Sequence, residues 1–177
     1  MFKTVGHQTL EFRNNTDDVE KNGPFPVENV STSFLGSGYY FWDNHIELAH
    51  WWGDWRIKKQ YIIGECEIGV ERNDFFDLVG SRDDQINLQN IIDKLNLKDL
   101  SIGEIIEVLK GMEKNVTGIF PYKAIRAVDN SIKLSFSQEK YLFQSDKASF
   151  SILSPMYMIC LLDKKELLLS PFKVIFT

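Results

Sequence analysis

The apolar and polar positions change rhythm twice along this chain. Phe2 to Thr9 alternates and predicts a short strand, while Arg13 to Pro26 is polar and turn-rich, a connector with room for one helical turn. Gly36 to Asp43 reads GSGYYFWD, a composition that favours a strand entered through a tight turn. Asn44 with Glu47 three positions on has the form of a capping box, so a helix is predicted from His45 to about Lys58. Tyr61 to Val70 returns to alternation. It places Ile62, Gly64, Cys66, Ile68 and Val70 on one face and Glu65 and Glu67 on the other, with Phe75–Val79 as a short apolar continuation.

The middle of the chain follows a helical period. Ser81 with Asp84 and Ser101 with Glu104 are two further capping boxes; Ile91, Ile92 and Leu95, then Ile105, Ile106, Leu109 and Met112, recur at helical spacing. These predict helices over Arg82–Asn96 and Ile102–Lys114. Short apolar runs follow at Tyr122–Val128, Ile132–Phe136, Tyr141–Phe143, Tyr157–Leu162 and Lys173–Phe176, so the last third is mainly strand. No repeat, low-complexity tract or linker interrupts this order. The expectation is one α+β domain over residues 1–177.

Composition narrows the classes. A chain of 177 residues with 44% hydrophobic content can bury a core without metal or disulfide support. Net charge −5 excludes a general polyanion-coating surface, although it leaves a specific nucleic-acid substrate open. No apolar run approaches the roughly 20 residues of a membrane helix, and MFKTVGHQTLEF lacks signal-peptide character, so a protein without membrane attachment is expected, cytoplasmic or else exported by unusual means. Cys66 and Cys160 sit in apolar runs and read as buried free thiols, with no metal site. One feature stands apart: all four Trp lie between Trp42 and Trp55.

That crowded segment carries a resemblance. LGSGYYFWDNHIELAHWW, Leu35 to Trp52, resembles the Gly-x-Gly-x-Tyr-Phe strand, polar turn and aromatic-ended helix of the ADP-ribosyltransferase fold. The likeness is to the diphtheria-toxin and poly(ADP-ribose) polymerase branch, whose core places His, Tyr and Glu on three separate strands. VGHQT supplies the first motif as His7, Gln8 and Thr9. The resemblance implies a split β-sheet core with peripheral helices, residues 82–114 forming a helical insertion. It implies NAD as substrate. Cleavage of the nicotinamide–ribose bond passes through an oxocarbenium-like sugar, so flat surfaces and a ribose hydrogen bond are required. His7 and Tyr40 are the catalytic residues that the resemblance implies. His7 would bond a ribose hydroxyl, Gln8 would hold the carboxamide through its backbone, and Thr9 would support the strand end. Tyr40 and Trp51 would wall the nicotinamide, and Gly36 and Gly38 would permit the turn and close backbone approach. Trp52 and Trp55 read as packing, and His45 and His50 as solvated helix positions.

The third motif departs from the family. Its best match, SPMYMICLLD from Ser154 to Asp163, has Met156 or Met158 where the Glu should stand. Glu139, Gln144, Asp146 and Asp163 are nearby but off the motif position. The resemblance therefore implies an NAD-dependent mono-ADP-ribosyltransferase acting on a protein or nucleic-acid acceptor, of the kind found among toxins and phage-conflict factors, with an antitoxin or immunity partner. The alternatives are a binding module of the same fold that has lost transfer, or a structural α+β protein.

Overall fold

In a computed structural model, residues 1–29, 33–130, 140–145 and 149–177 are described. They form an α+β arrangement around a seven-stranded, mostly antiparallel sheet. Its strands are β1 (Phe2–Glu11), β2 (Tyr39–Asp43), β3 (Tyr61–Val70), β4 (Phe75–Asp77), β5 (Ala124–Asp129), β8 (Met156–Leu161) and β9 (Lys173–Phe176). The spatial order is β4-β5-β8-β2-β1-β3-β9, and β6 (Lys140–Leu142) and β7 (Phe150–Ile152) pair separately as a hairpin. The expected strand at Ile132–Phe136 lies outside the described residues.

Period-two alternation explains how one sheet builds two cores. On one face, Trp42, Tyr61, Ile63, Phe76, Ile125, Met156, Met158 and Cys160 pack against three helices. These are α2 (Ile46–Trp52), α3 (Arg82–Lys94) and α4 (Ile102–Glu113). They contribute Leu48, Ala49, Trp51, Leu88, Ile105, Ile106 and Leu109. On the other face, Phe41, Ile62, Cys66, Ile68, Val70, Ile159 and Leu161 meet Val19 of α1 (Thr16–Asn22) and, from the loop before β9, Leu167 and Phe172. The alternation read in β3 is therefore the division between two cores.

Among the described strands, β4 and β5 are the only neighbours that run parallel. A parallel pair cannot close through a tight turn and needs a crossover of a dozen or more residues. The α3–α4 pair is that crossover. Residues 82–114, read as an insertion, thus connect neighbouring strands and fill the helical-side core. Phe75–Val79 does not continue β3: a single 3₁₀ turn at Arg72–Asp74 carries the chain across to the far edge of the sheet.

Local chemistry sets the helix ends. Ser101 accepts from the Glu104 amide, and the Glu104 side chain accepts from the Ser101 amide, the reciprocal box predicted for α4. Ser81 caps α3 in one direction only. The Asp84 carboxylate turns instead to Arg72 and to the Asp77 amide. The box predicted at Asn44 does not form. Asn44 takes φ 50° and gives its amide to Val5, ending β2 in a left-handed turn, and α2 starts from His45. Beyond Trp52 the predicted helix continues as a π turn, Gly53–Ile57, which Lys58 closes at φ 56°.

Candidate active site

His7 lies mid-strand in β1, directly opposite Trp42 on β2 and Glu65 on β3. Opposed residues of antiparallel strands project to the same face, so the three form a row that continues through Met158 and Ala127. Nε2 of His7 is 3.0 Å from Oε2 of Glu65, and Nδ1 is buried without a hydrogen-bond partner. His7 as a whole is 6% exposed. Burial lowers its pKa from the ordinary 6.5, outweighing the opposite pull of the Glu65 carboxylate.

Gln8 points to the other face. Its side-chain amide donates to the carbonyls of Phe25 and Tyr40, and its oxygen accepts from the Phe25 amide. The β1–β2 ladder comprises two pairs, Gly6–Asp43 and His7–Trp42. Beyond them the Gln8 side chain makes the link between the strands. Thr9 donates its hydroxyl to the Ala49 carbonyl at 2.7 Å and so fixes α2 over the helical face.

Tyr40 shares the face of His7 and packs beside the Trp42 core. Its hydroxyl donates to the Gly36 carbonyl at 2.6 Å and accepts from the Leu35 amide at 2.7 Å, closing the preceding loop onto itself. Burial pushes the phenol well above its ordinary range. Gly36 has φ +79°, and a Cβ on Gly38 would stand 2.5 Å from the Cys160 sulfur and 2.7 Å from the Leu161 carbonyl. Each glycine is thus required, one by conformation and one by approach. Helix α4 clamps the same loop: Glu107 accepts from the Ser37 amide and hydroxyl, while Lys110 donates to the Ser37 carbonyl and to Glu107.

Trp51 hangs from α2 into the helical-side core. Its ring meets Trp42 edge-on at 6.3 Å and stacks on Trp55 at 5.4 Å and 5°. Trp42 is therefore the neighbour shared by His7 and Trp51. Trp52 and Trp55 complete the aromatic group, Trp55 half-exposed. His50 is not a free solvated position: Nδ1 is 3.1 Å from the Tyr61 hydroxyl, and the ring packs edge-on against Phe176.

Two clefts lie nearby, and His7, Tyr40 and Trp51 line neither. One, about 790 Å³, opens on the helical face above Met158 and Ala127, between the Ser33–Leu35 loop and the start of α4. Asp129 lines it and pairs in register with Met156. The other, about 920 Å³, lies at the end of β2 and includes Thr4, Asp43, His45, Glu47, Arg126 and Tyr157. In it Arg126 donates through Nε to Asp43 at 2.6 Å and lies over the rings of Phe2 and Tyr157. Thr4 donates its hydroxyl to the other Asp43 oxygen.

At the third motif, Met156 is fully buried and Met158 nearly so. Gln144 and Asp163 are exposed, and Glu139 and Asp146 lie outside the described residues. The carboxylate that reaches His7 comes from β3. Alternation had put Glu65 on the face away from Cys66, but only the β1–β3 register brings it to His7. Asp43 and Arg126 give no local sequence signal either, because they meet across the sheet from positions remote in sequence. Among the described residues, no group of three or more His, Cys, Asp and Glu side chains is placed to hold a metal. No helix among them is long and apolar enough to cross a membrane.

In comparisons with protein-family models, curated proteins and solved structures, the chain has no match in any of the three. The fold and site define an α+β protein with a carboxylate–imidazole pair beside a packed indole cluster.

Proposed function

We propose that the chain is an NAD-dependent mono-ADP-ribosyltransferase built on a split-sheet ADP-ribosyltransferase core. One observation carries the reading. The three segments that resemble the family's motifs, far apart in sequence, form the adjacent strands β1, β2 and β8. His7 and Tyr40 project from one face, and α2, which bears Trp51, covers it. The short β1–β2 ladder supports a sheet that opens between its first two motifs. In this reading His7 holds the ribose and Tyr40 and Trp51 flank the nicotinamide. Gln8, Thr9 and Gly38 keep the strand ends in place. The acceptor is a protein or a nucleic acid, and the biological setting is a cytoplasmic toxin or phage-conflict factor held by an antitoxin or immunity protein.

A second reading is favoured by Met156 and by the filled aromatic layer around Trp42: a module that binds NAD or ADP-ribose, or a protein surface, without transfer. Incubation with adenylate-labelled NAD and cell lysate separates the two. The transferase labels lysate macromolecules, and His7→Ala, Tyr40→Ala or Trp51→Ala abolishes the label. Undiminished labelling by all three variants would remove the site assignment. The binding module gives no label, but NAD raises its melting temperature.

A further inference from the structure

We propose that Glu65 is a positioning residue that holds His7 in its Nε2–H tautomer and thereby presents Nδ1 as an acceptor for a ligand hydroxyl. The argument starts from the donor inventory. An ionised carboxylate only accepts, so an imidazole nitrogen 3.0 Å from Oε2 of Glu65 must carry the proton of that bond. Burial disfavours the charged imidazolium, and in a neutral ring protonated at Nε2 the lone pair sits on Nδ1.

That lone pair is buried and has no donor among the described residues. Buried polar atoms are nearly always satisfied, so a bare Nδ1 on a ring held by a carboxylate is an acceptor that a water or a ligand hydroxyl can fill. The charges facing His7 are Glu65 on β3 and, from α2 and its cap, Glu47 and His45. His45 and Glu47 pair with each other at 3.1 Å. Glu65 is thus the group that hydrogen-bonds the ring and selects its tautomer. A carboxylate that orients an imidazole for work at its other nitrogen is a recurrent arrangement for moving or accepting a proton. Naming the donor as a ribose hydroxyl of NAD rests on the transferase reading; the positioning by Glu65 does not.

Long-range ¹H–¹⁵N spectra of the intact chain at neutral pH read the tautomer directly. The expected result is a His7 ring protonated at Nε2 and bare at Nδ1. Glu65→Ala should turn this into a mixture of tautomers, whereas Glu65→Gln, whose amide oxygen can accept the same bond, should retain it. The Glu65 side chain is 41% exposed, so both variants are expected to fold, as their melting curves would verify. A wild-type ring protonated at Nδ1, or a Glu65→Ala spectrum identical to wild type, overturns the proposal. Addition of millimolar NAD should then displace the Nδ1 resonance. A Glu65-dependent tautomer that NAD leaves unmoved upholds the positioning role and counts against NAD as the ligand.

Discussion

Glu65 stands directly across the β1–β3 ladder from His7, and its carboxylate reaches Nε2 of a ring that is buried in the sheet–helix interface. The unfolded chain exposes this imidazole to water; the folded chain holds its pKa below the ordinary 6.5 because burial opposes the charge.

A pH dependence follows. Below 6.5 the unfolded state takes up a proton that the native state resists, so stability rises with pH in that window and falls as acid approaches the lowered native value. Melting temperatures between pH 7.5 and 5.5 should therefore drop, and His7→Gln should flatten the slope. An unchanged slope in that variant would place the titration elsewhere.

Arg126 and Asp43 form the most enclosed ion pair among the described residues, with side-chain exposures of 16% and 4%. Removing one partner of such a pair strands the other. Arg126→Met should cost about 3–5 kcal/mol in denaturant unfolding, and Asp43→Asn combined with it should recover part of the loss. Additive losses would mean that the two side chains contribute independently.

Two glycines should respond with opposite signs. At Gly38 a methyl group meets the Leu161 backbone, so Gly38→Ala should destabilise by about 1–3 kcal/mol. Gly111 lies in α4 with open space around its Cβ position, and Gly111→Ala should stabilise by about 0.5–1 kcal/mol. Chemical denaturation of both variants checks the pair.

The two cysteines are free and buried, and burial raises both thiols, Cys66 to about 12. Thiolate is the reactive form, so neither should react with a thiol reagent at pH 7.5 until denaturant is added. Rapid modification of the native protein would contradict their placement.

What was legible in the chain was local. Alternation in Tyr61–Val70 marked β3 and its two faces, because each face is buried against a different core. The Ser101–Glu104 box marked α4, because both of its bonds lie within one turn. The segment at Asn44 failed for a physical reason: its backbone is committed to ending β2 against Val5, which leaves its side chain outside the cap. The parallel β4–β5 pair and the Glu65–His7 contact depend on which strands become neighbours, and that is decided by the packing of remote segments. Likewise, Leu167 and Phe172 gave no periodic signal, yet they close the second core from an irregular loop.

The central claim is tested most directly with NAD labelled separately in its nicotinamide and adenylate halves. The account predicts that the nicotinamide label is freed while the adenylate label becomes bound to a macromolecule, and that both events vanish in Tyr40→Ala. Retention of both labels in unreacted NAD, with no change in the protein's melting temperature, would contradict it.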